Sequence, residues 1–296
     1  MTGRLAEVVS RIGSARQLDA VMAAMRGIAA AREREARERL VPIRAYAAVI
    51  GGAIGQALAL TGEAAPADLA PPPVGRPTLV VLAAEQGFAG AFDDRVLDAV
   101  EKDENGPTPR LLLVGDRGLV RARERGLEID WSSSMISHVD QAGALADRIA
   151  EEIYARLAGA ETSEVSILHA APDPSEGIPI IRKTLAPFDY QRFPAARRRQ
   201  PPLIQMPPRE LLARLTQEYV FAELCEAAIL SFAAENEARR RAMTSAQENV
   251  ERKLETLVGE SRRLRQEEIT NEIIELFASH DGEAKHASVR PGVRDS

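Results

Sequence analysis

Two glycines, Gly87 and Gly90, follow a short apolar run and come nearest in this chain to a phosphate cradle. A dinucleotide fingerprint needs G-x-G-x-x-G opening a helix, with an acid about twenty residues on. G-x-x-G alone is better read as a tight strand-to-helix turn. The histidines His138, His169, His280 and His286 have no metal-ligand spacing. No Walker A sequence and no readable nucleophile–base pair occurs, so the residues spell no catalytic site. What remains is contact chemistry. Arg239-Arg240-Arg241 and Arg262-Arg263-Arg265 supply guanidinium forks that can grip carboxylates bidentately. For the first of these clusters a solvated helix face is the preferred reading, with i,i+4 partners such as Glu235 for Arg239.

These residues sit on elements of two kinds. Residues 209 to 278 run for seventy positions without proline and with one glycine, Gly259. As one helix they would extend roughly 105 Å at 1.5 Å per residue. Met243, Gln247, Val250, Leu254, Leu257, Ser261 and Leu264 recur there in steps of four and three, a heptad with two polar positions. At the other end, residues 4 to about 58 predict a first long helix with a stripe at Leu5, Val8, Ile12, Ala15, Leu18, Met22, Met25 and Ala29. Pro42 predicts a kink or local irregularity in it.

Between the helices the period changes. The short apolar run 78–83 and the segments 110–115, 127–131, 165–169 and 180–185 predict strands, and 92–103, 117–125 and 139–158 predict helices. Strands alternating with helices imply a Rossmann-like, mainly parallel α/β domain over 78–190. Proline-rich linkers over 61–77 and 187–208 flank it. The tail, 279–296, has no apolar period and is expected to be disordered. Burying the two helical stripes against each other gives an antiparallel coiled coil of residues 1–60 and 209–278, with the α/β domain as a foot.

Composition narrows the function classes. The net charge is -6, which argues against nucleic acid as a partner, even with the run Arg197-Arg198-Arg199. One cysteine, Cys225, cannot form an intrachain disulfide and fits a reducing compartment. The N-terminus has no apolar h-region. No run of 18 apolar residues is free of charge, so no membrane insertion is expected.

Three blocks resemble the gamma subunit of rotary, F-type ATP synthases, and the likeness spans nearly the whole chain. The first is Ile12 to Ala31, ending Ala24-Met25-Arg26-Gly27-Ile28-Ala29-Ala30-Ala31. The second, Ala84-Glu85-Gln86-Gly87-Phe88-Ala89-Gly90-Ala91-Phe92, is similar to the family's Asp-Arg-Gly-Leu-Cys-Gly-Gly-Leu-Asn loop. The third is Glu235 to Met243 together with Arg265-Gln266-Glu267-Glu268-Ile269-Thr270-Asn271-Glu272-Ile273, similar to the Arg-Gln-x-x-Ile-Thr-x-Glu-Ile signature. The last match is the most specific. Departures stand at Gln17–Ala23, where the family is basic and Thr-rich, at Thr244 in place of a lysine, and at Ala89 in place of the loop cysteine. They fit a divergent copy, such as the gamma subunit of a second rotary ATPase that some bacteria carry beside the main one.

The resemblance implies a central-stalk rotor subunit with no catalytic site, cofactor or metal of its own. It would couple ion-driven rotation of the c-ring to conformational change at the beta-subunit sites. It implies alpha and beta subunits, epsilon and the membrane c-ring as partners, and a peripheral place on the cytoplasmic face of the plasma (inner) membrane. Rotor–stator contact then falls to Met25, Arg265, Gln266, Thr270 and Glu272, with the Gly87–Gly90 loop close by. Two other readings stay open on the residues alone: a small Rossmann-like enzyme with helical dimerisation arms, and a coiled-coil adaptor without a motor.

Overall fold

The computed structural model describes residues 3–61, 75–101, 107–162, 164–173, 177–195 and 202–287, with side chains to 277. Its elements are α1 (Gly3–Thr61), β1 (Thr78–Leu82), α2 (Phe92–Glu101), β2 (Arg110–Val114), α3 (Asp116–Glu124), β3 (Trp131–Ser133), α4 (Ala142–Ala158), β4 (Val165–Ala170), β5 (Ile180–Ala186) and α5 (Pro208–Ala287). The fold is α/β, with long helices at both ends. The chain divides into two compact units, Arg26–Ala242 and Met1–Met25 with Met243–Ser296.

In the unit Arg26–Ala242 the sheet order is β3-β2-β1-β4-β5. β1 pairs parallel with β2 and β4, β2 pairs parallel with β3, and β5 runs antiparallel to β4. Every residue of β1 is buried, because both faces of the sheet are covered and alternate side chains serve opposite layers. Leu79 and Val81 pack with Phe92, Val96 and Leu97 of α2 and with Ala234 and Ala238 of α5. Val80 and Leu82 pack with Leu145 and Ile149 of α4, Leu40 of α1, and Leu224 and Phe232 of α5.

The unit of Met1–Met25 and Met243–Ser296 is an antiparallel pair of helical segments. Leu5, Val8 and Ile12 of α1 cluster with Leu254, Leu257, Val258 and Leu264 of α5. The predicted stripe continues half-buried at Ala15, Met22 and Met25, but Leu18 does not follow it. Leu18 is 57% exposed, and Asp19 turns inward instead.

Other differences have local causes. α1 is unbroken through Pro42. The third strand starts at Trp131 rather than 127, after Gly126 takes a φ of 75° and reverses the chain. α5 continues to Ala287, past the 278 at which apolar periodicity ends; residues 288–296 of the expected disordered tail and 62–74 of the first linker lie outside the described residues. In the second linker Phe188 stacks on Phe193 at 5.6 Å, and Tyr219 of α5 meets Phe193 edge-on at 4.9 Å. That part is folded because aromatic burial outweighs its turn-rich composition.

α1 also holds an 18-residue window of mean hydropathy 1.4, so by length and composition it is apolar enough to cross a membrane. Residues 45–62 carry no charged side chain, and only polar Gln56 and Thr61 interrupt an 18-residue apolar run there. In its apolar stretch Arg44 pairs with Glu226 and Tyr46 donates to Glu218, both on α5, while Ile54 and Ala57 bury beside Leu212.

Candidate functional site

The loop after β1 lies at the carboxyl ends of the parallel strands, where open α/β sheets usually bind ligands. Gly90 has a φ of 60°, and a side chain built there would reach Ala242 of α5 at 3.8 Å. Phe88 has a φ of 65° without being glycine, and is 68% exposed. Left-handed backbone at a bulky residue is strained and persists only where its surroundings hold it.

The holding groups come from α5. Glu235 accepts hydrogen bonds from the backbone N–H of Glu85 and of Gln86, each at 3.2 Å. Arg239 donates through Nε to the Gly87 carbonyl at 3.1 Å and through Nη2 to the Gln86 carbonyl at 3.1 Å. Arg239 also pairs with Glu235 and donates to Asn236 Oδ1 at 3.1 Å. Glu235, Asn236 and Arg239 are all buried, Arg239 to 5% exposure. α5 approaches closely enough because its facing residues Ala233, Ala234 and Ala238 are small and buried. The solvated-face reading of Arg239 is therefore wrong, although its predicted i,i+4 partner is right. Arg240 pairs with Glu33 of α1, and Arg241 with buried Glu237.

Two more carboxylates tie the loop down. Asp93 accepts from the Ala84 N–H at 2.9 Å. Glu85 accepts from the N–H of Asp116 at 3.2 Å and of Met135 at 2.6 Å. Burial pushes the Asp93 carboxyl up to about 6, against the lowering effect of its Ala84 bond. Burial also raises Glu235, against Arg239 and the two loop amides. The amides of Ala84, Glu85 and Gln86, at the start of this loop, thus already bond carboxylates of the chain itself. Gly87 and Gly90 close a clamped turn, as G-x-x-G suggested.

The remaining predicted site residues lie elsewhere. Met25 is half-buried on α1. Arg265, Gln266, Thr270 and Glu272 are exposed on α5, and the Thr270 hydroxyl donates back to the Gln266 carbonyl at 2.8 Å. Among the described residues, the side chains of Arg265 and Gln266 have no hydrogen-bond or ion-pair partner. His169 is a core residue, 4% exposed, whose Nδ1 lies 3.0 Å from the Ala170 carbonyl oxygen, and burial lowers its pKa. Among the described residues no group of three or more His, Cys, Asp or Glu could hold a metal.

Comparison with known proteins joins these parts. The family described as ATP synthase matches residues 4–281. The chain belongs to the ATP synthase family. Within that family, the relatives that it resembles are gamma chains. It is 29% identical to the ATP synthase gamma chain of Fuscovulum blasticum over 93% of this chain and 97% of that one. It is 29% identical to the gamma chain of a Parafrankia species over 97% and 100%. In fold it is similar to a rotor chain of the Euglena gracilis mitochondrial ATP synthase, with a TM-score of 0.64 at 12% identity, covering 91% of this chain and 100% of that one. A central stalk/c-ring structure of the Tetrahymena thermophila mitochondrial ATP synthase gives 0.55 at 17% identity, covering 76% and 99%. Glu235 and Arg239 fall in the third block of the resemblance. The small residues around them were the signal that this part of α5 faces protein rather than water.

Proposed function

We propose that this chain turns inside a ring of alpha and beta subunits of an F-type ATP synthase and couples ion-driven rotation to their nucleotide sites. Its partners in this reading are alpha, beta, epsilon and the c-ring. Its place is peripheral, on the cytoplasmic face of the plasma (inner) membrane. The mechanism is mechanical. A pair of helices has no threefold symmetry, so each rotor angle offers different contacts to each of three beta subunits. A shaft can shift three conformational equilibria only through such differential contacts.

The observation that carries the contact assignment is the state of Arg265 and Gln266. Both are exposed on α5, and among the described residues neither side chain has an internal partner. They are free to bond a beta-subunit loop, with Thr270 and Glu272 one and two turns on and Met25 acting from α1. The Gly87–Gly90 loop, held rigid from behind, offers Phe88 as a second contact. A small nucleotide enzyme is the weaker reading, because Glu235 already occupies the Glu85 and Gln86 amides.

The test is Arg265→Ala with Gln266→Ala in the reconstituted complex. Removing exposed groups should change the subunit's stability by no more than about 0.5 kcal/mol. Charge-assisted bonds made only at certain rotor angles, each ~1.5–3 kcal/mol, predict a fall in ATP turnover of roughly tenfold or more at unchanged assembly. Parental turnover in an assembled double variant would refute the contact.

A further inference from the structure

Two buried acceptors lie in the packed seam between α1 and α5 within the unit of Met1–Met25 and Met243–Ser296. Among the described residues, Asp19 Oδ1 and Gln247 Oε1 are both buried and have no hydrogen-bond partner. In the leucine cluster Ile12 is the last residue contributed by α1, and Leu254 the first contributed by α5. Asp19 stands seven residues after Ile12, and Gln247 seven before Leu254. Seven residues are one heptad, and the helices are antiparallel, so both residues fall on the same next layer. Rotating the Gln247 amide by half a turn would put its NH2 where its carbonyl stands, at no cost in shape, and supply the donor that Asp19 lacks.

We propose that Asp19 and Gln247 form one interhelical polar layer, and that this layer fixes which face of α1 meets α5, with Leu18 held outward. Apolar content alone favours the opposite facing. A stripe through Ala15, Leu18 and Met22 would bury a leucine and leave the carboxylate in water. The helix instead exposes Leu18 to 57% and Val21 to 54%. A polar residue at one seam position commonly fixes helix geometry at some cost in stability. Gln247 is the matching group that makes an inward Asp19 tolerable.

The full-length subunit tests this with Asp19→Ala, Gln247→Ala, the double variant and Asp19→Asn. Hydrogen–deuterium exchange over residues 12 to 25 reads the layer. Each alanine variant should lose protection about five- to tenfold, and the double no more than either single, because one bond has been broken in each case. Losses that multiply in the double variant would overturn the pairing. Alkylation of a Val21→Cys reporter reads the facing. Cys225 is buried, with its thiol pushed up to about 12, and stays silent. The reporter should react several-fold more slowly with Asp19→Ala, as that face turns inward, and at the parental rate with Asp19→Asn. An unchanged rate in Asp19→Ala, or an Asp19→Asn protein that behaves like the alanine variant, would overturn the proposal.

Discussion

Arg239, buried on α5, holds the Gln86 and Gly87 carbonyls of the loop after β1. Three consecutive arginines look solvated, and two of the three are partly so. A charge run gives no sign of which member faces inward; only Ala233, Ala234 and Ala238 around it do. Its guanidinium bonds two loop carbonyls, Asn236 and Glu235 at once. Arg239→Ala should therefore cost about 3–5 kcal/mol, since it strands the Glu235 carboxylate in the interior. Urea denaturation would measure this, and a loss under 1 kcal/mol would mean that water enters and solvates the clamp. Asp93 gives a pH effect of known sign. Its folded value near 6 stands above its ordinary 3.8. The native state thus holds the Asp93 proton more tightly than the unfolded chain does. The stability this confers is full below about pH 4 and is lost as pH rises through 6. Asp93→Asn keeps the acceptor for the Ala84 N–H and removes the titration. It should be more stable than the parent at pH 7 to 8 by ~1–2 kcal/mol, with the gap closing by pH 4. Denaturation midpoints across that range provide the check.

At the scale of elements, the helices and strands were legible where one period ran unopposed. β1 and β2 stand out because both faces are covered and the runs after Thr78 and Arg110 are apolar. The heptad of α5 is legible at Leu257 and Leu264, which are 4% and 7% exposed. The stripe of α1 failed at Leu18 because steps of three and four fit either facing, and one polar pair decides between them. Residues 188–193 look like plain linker in the sequence because prolines mark turns whether or not the turns are packed. Leu257→Asp puts an unpaired carboxylate into the cluster with Leu5, Val8 and Ile12 and should cost about 3 kcal/mol or more. Far-UV circular dichroism should show an early transition in which the helix pair melts before the α/β unit. A single transition at the parental temperature would mean that Leu257 is not buried in solution.

At the scale of the whole molecule, the sequence holds no Walker A run and the amides of Ala84, Glu85 and Gln86 already bond carboxylates, so the purified subunit should not hydrolyse ATP. Turnover that co-purifies with it and is lost with Glu235→Gln would contradict this. The outer strands of the sheet have a further consequence. β3 is three residues long, and β5, the antiparallel edge, carries Arg182 and Lys183 in mid-strand, with Lys183 anchored to Glu223 of α5 at 2.7 Å. A short edge and a charged edge are poor templates for another chain's backbone. A freshly made copy that has not yet found its complex can therefore wait without adding strand to strand into aggregates, leaving its supply and its assembly free to run at different rates.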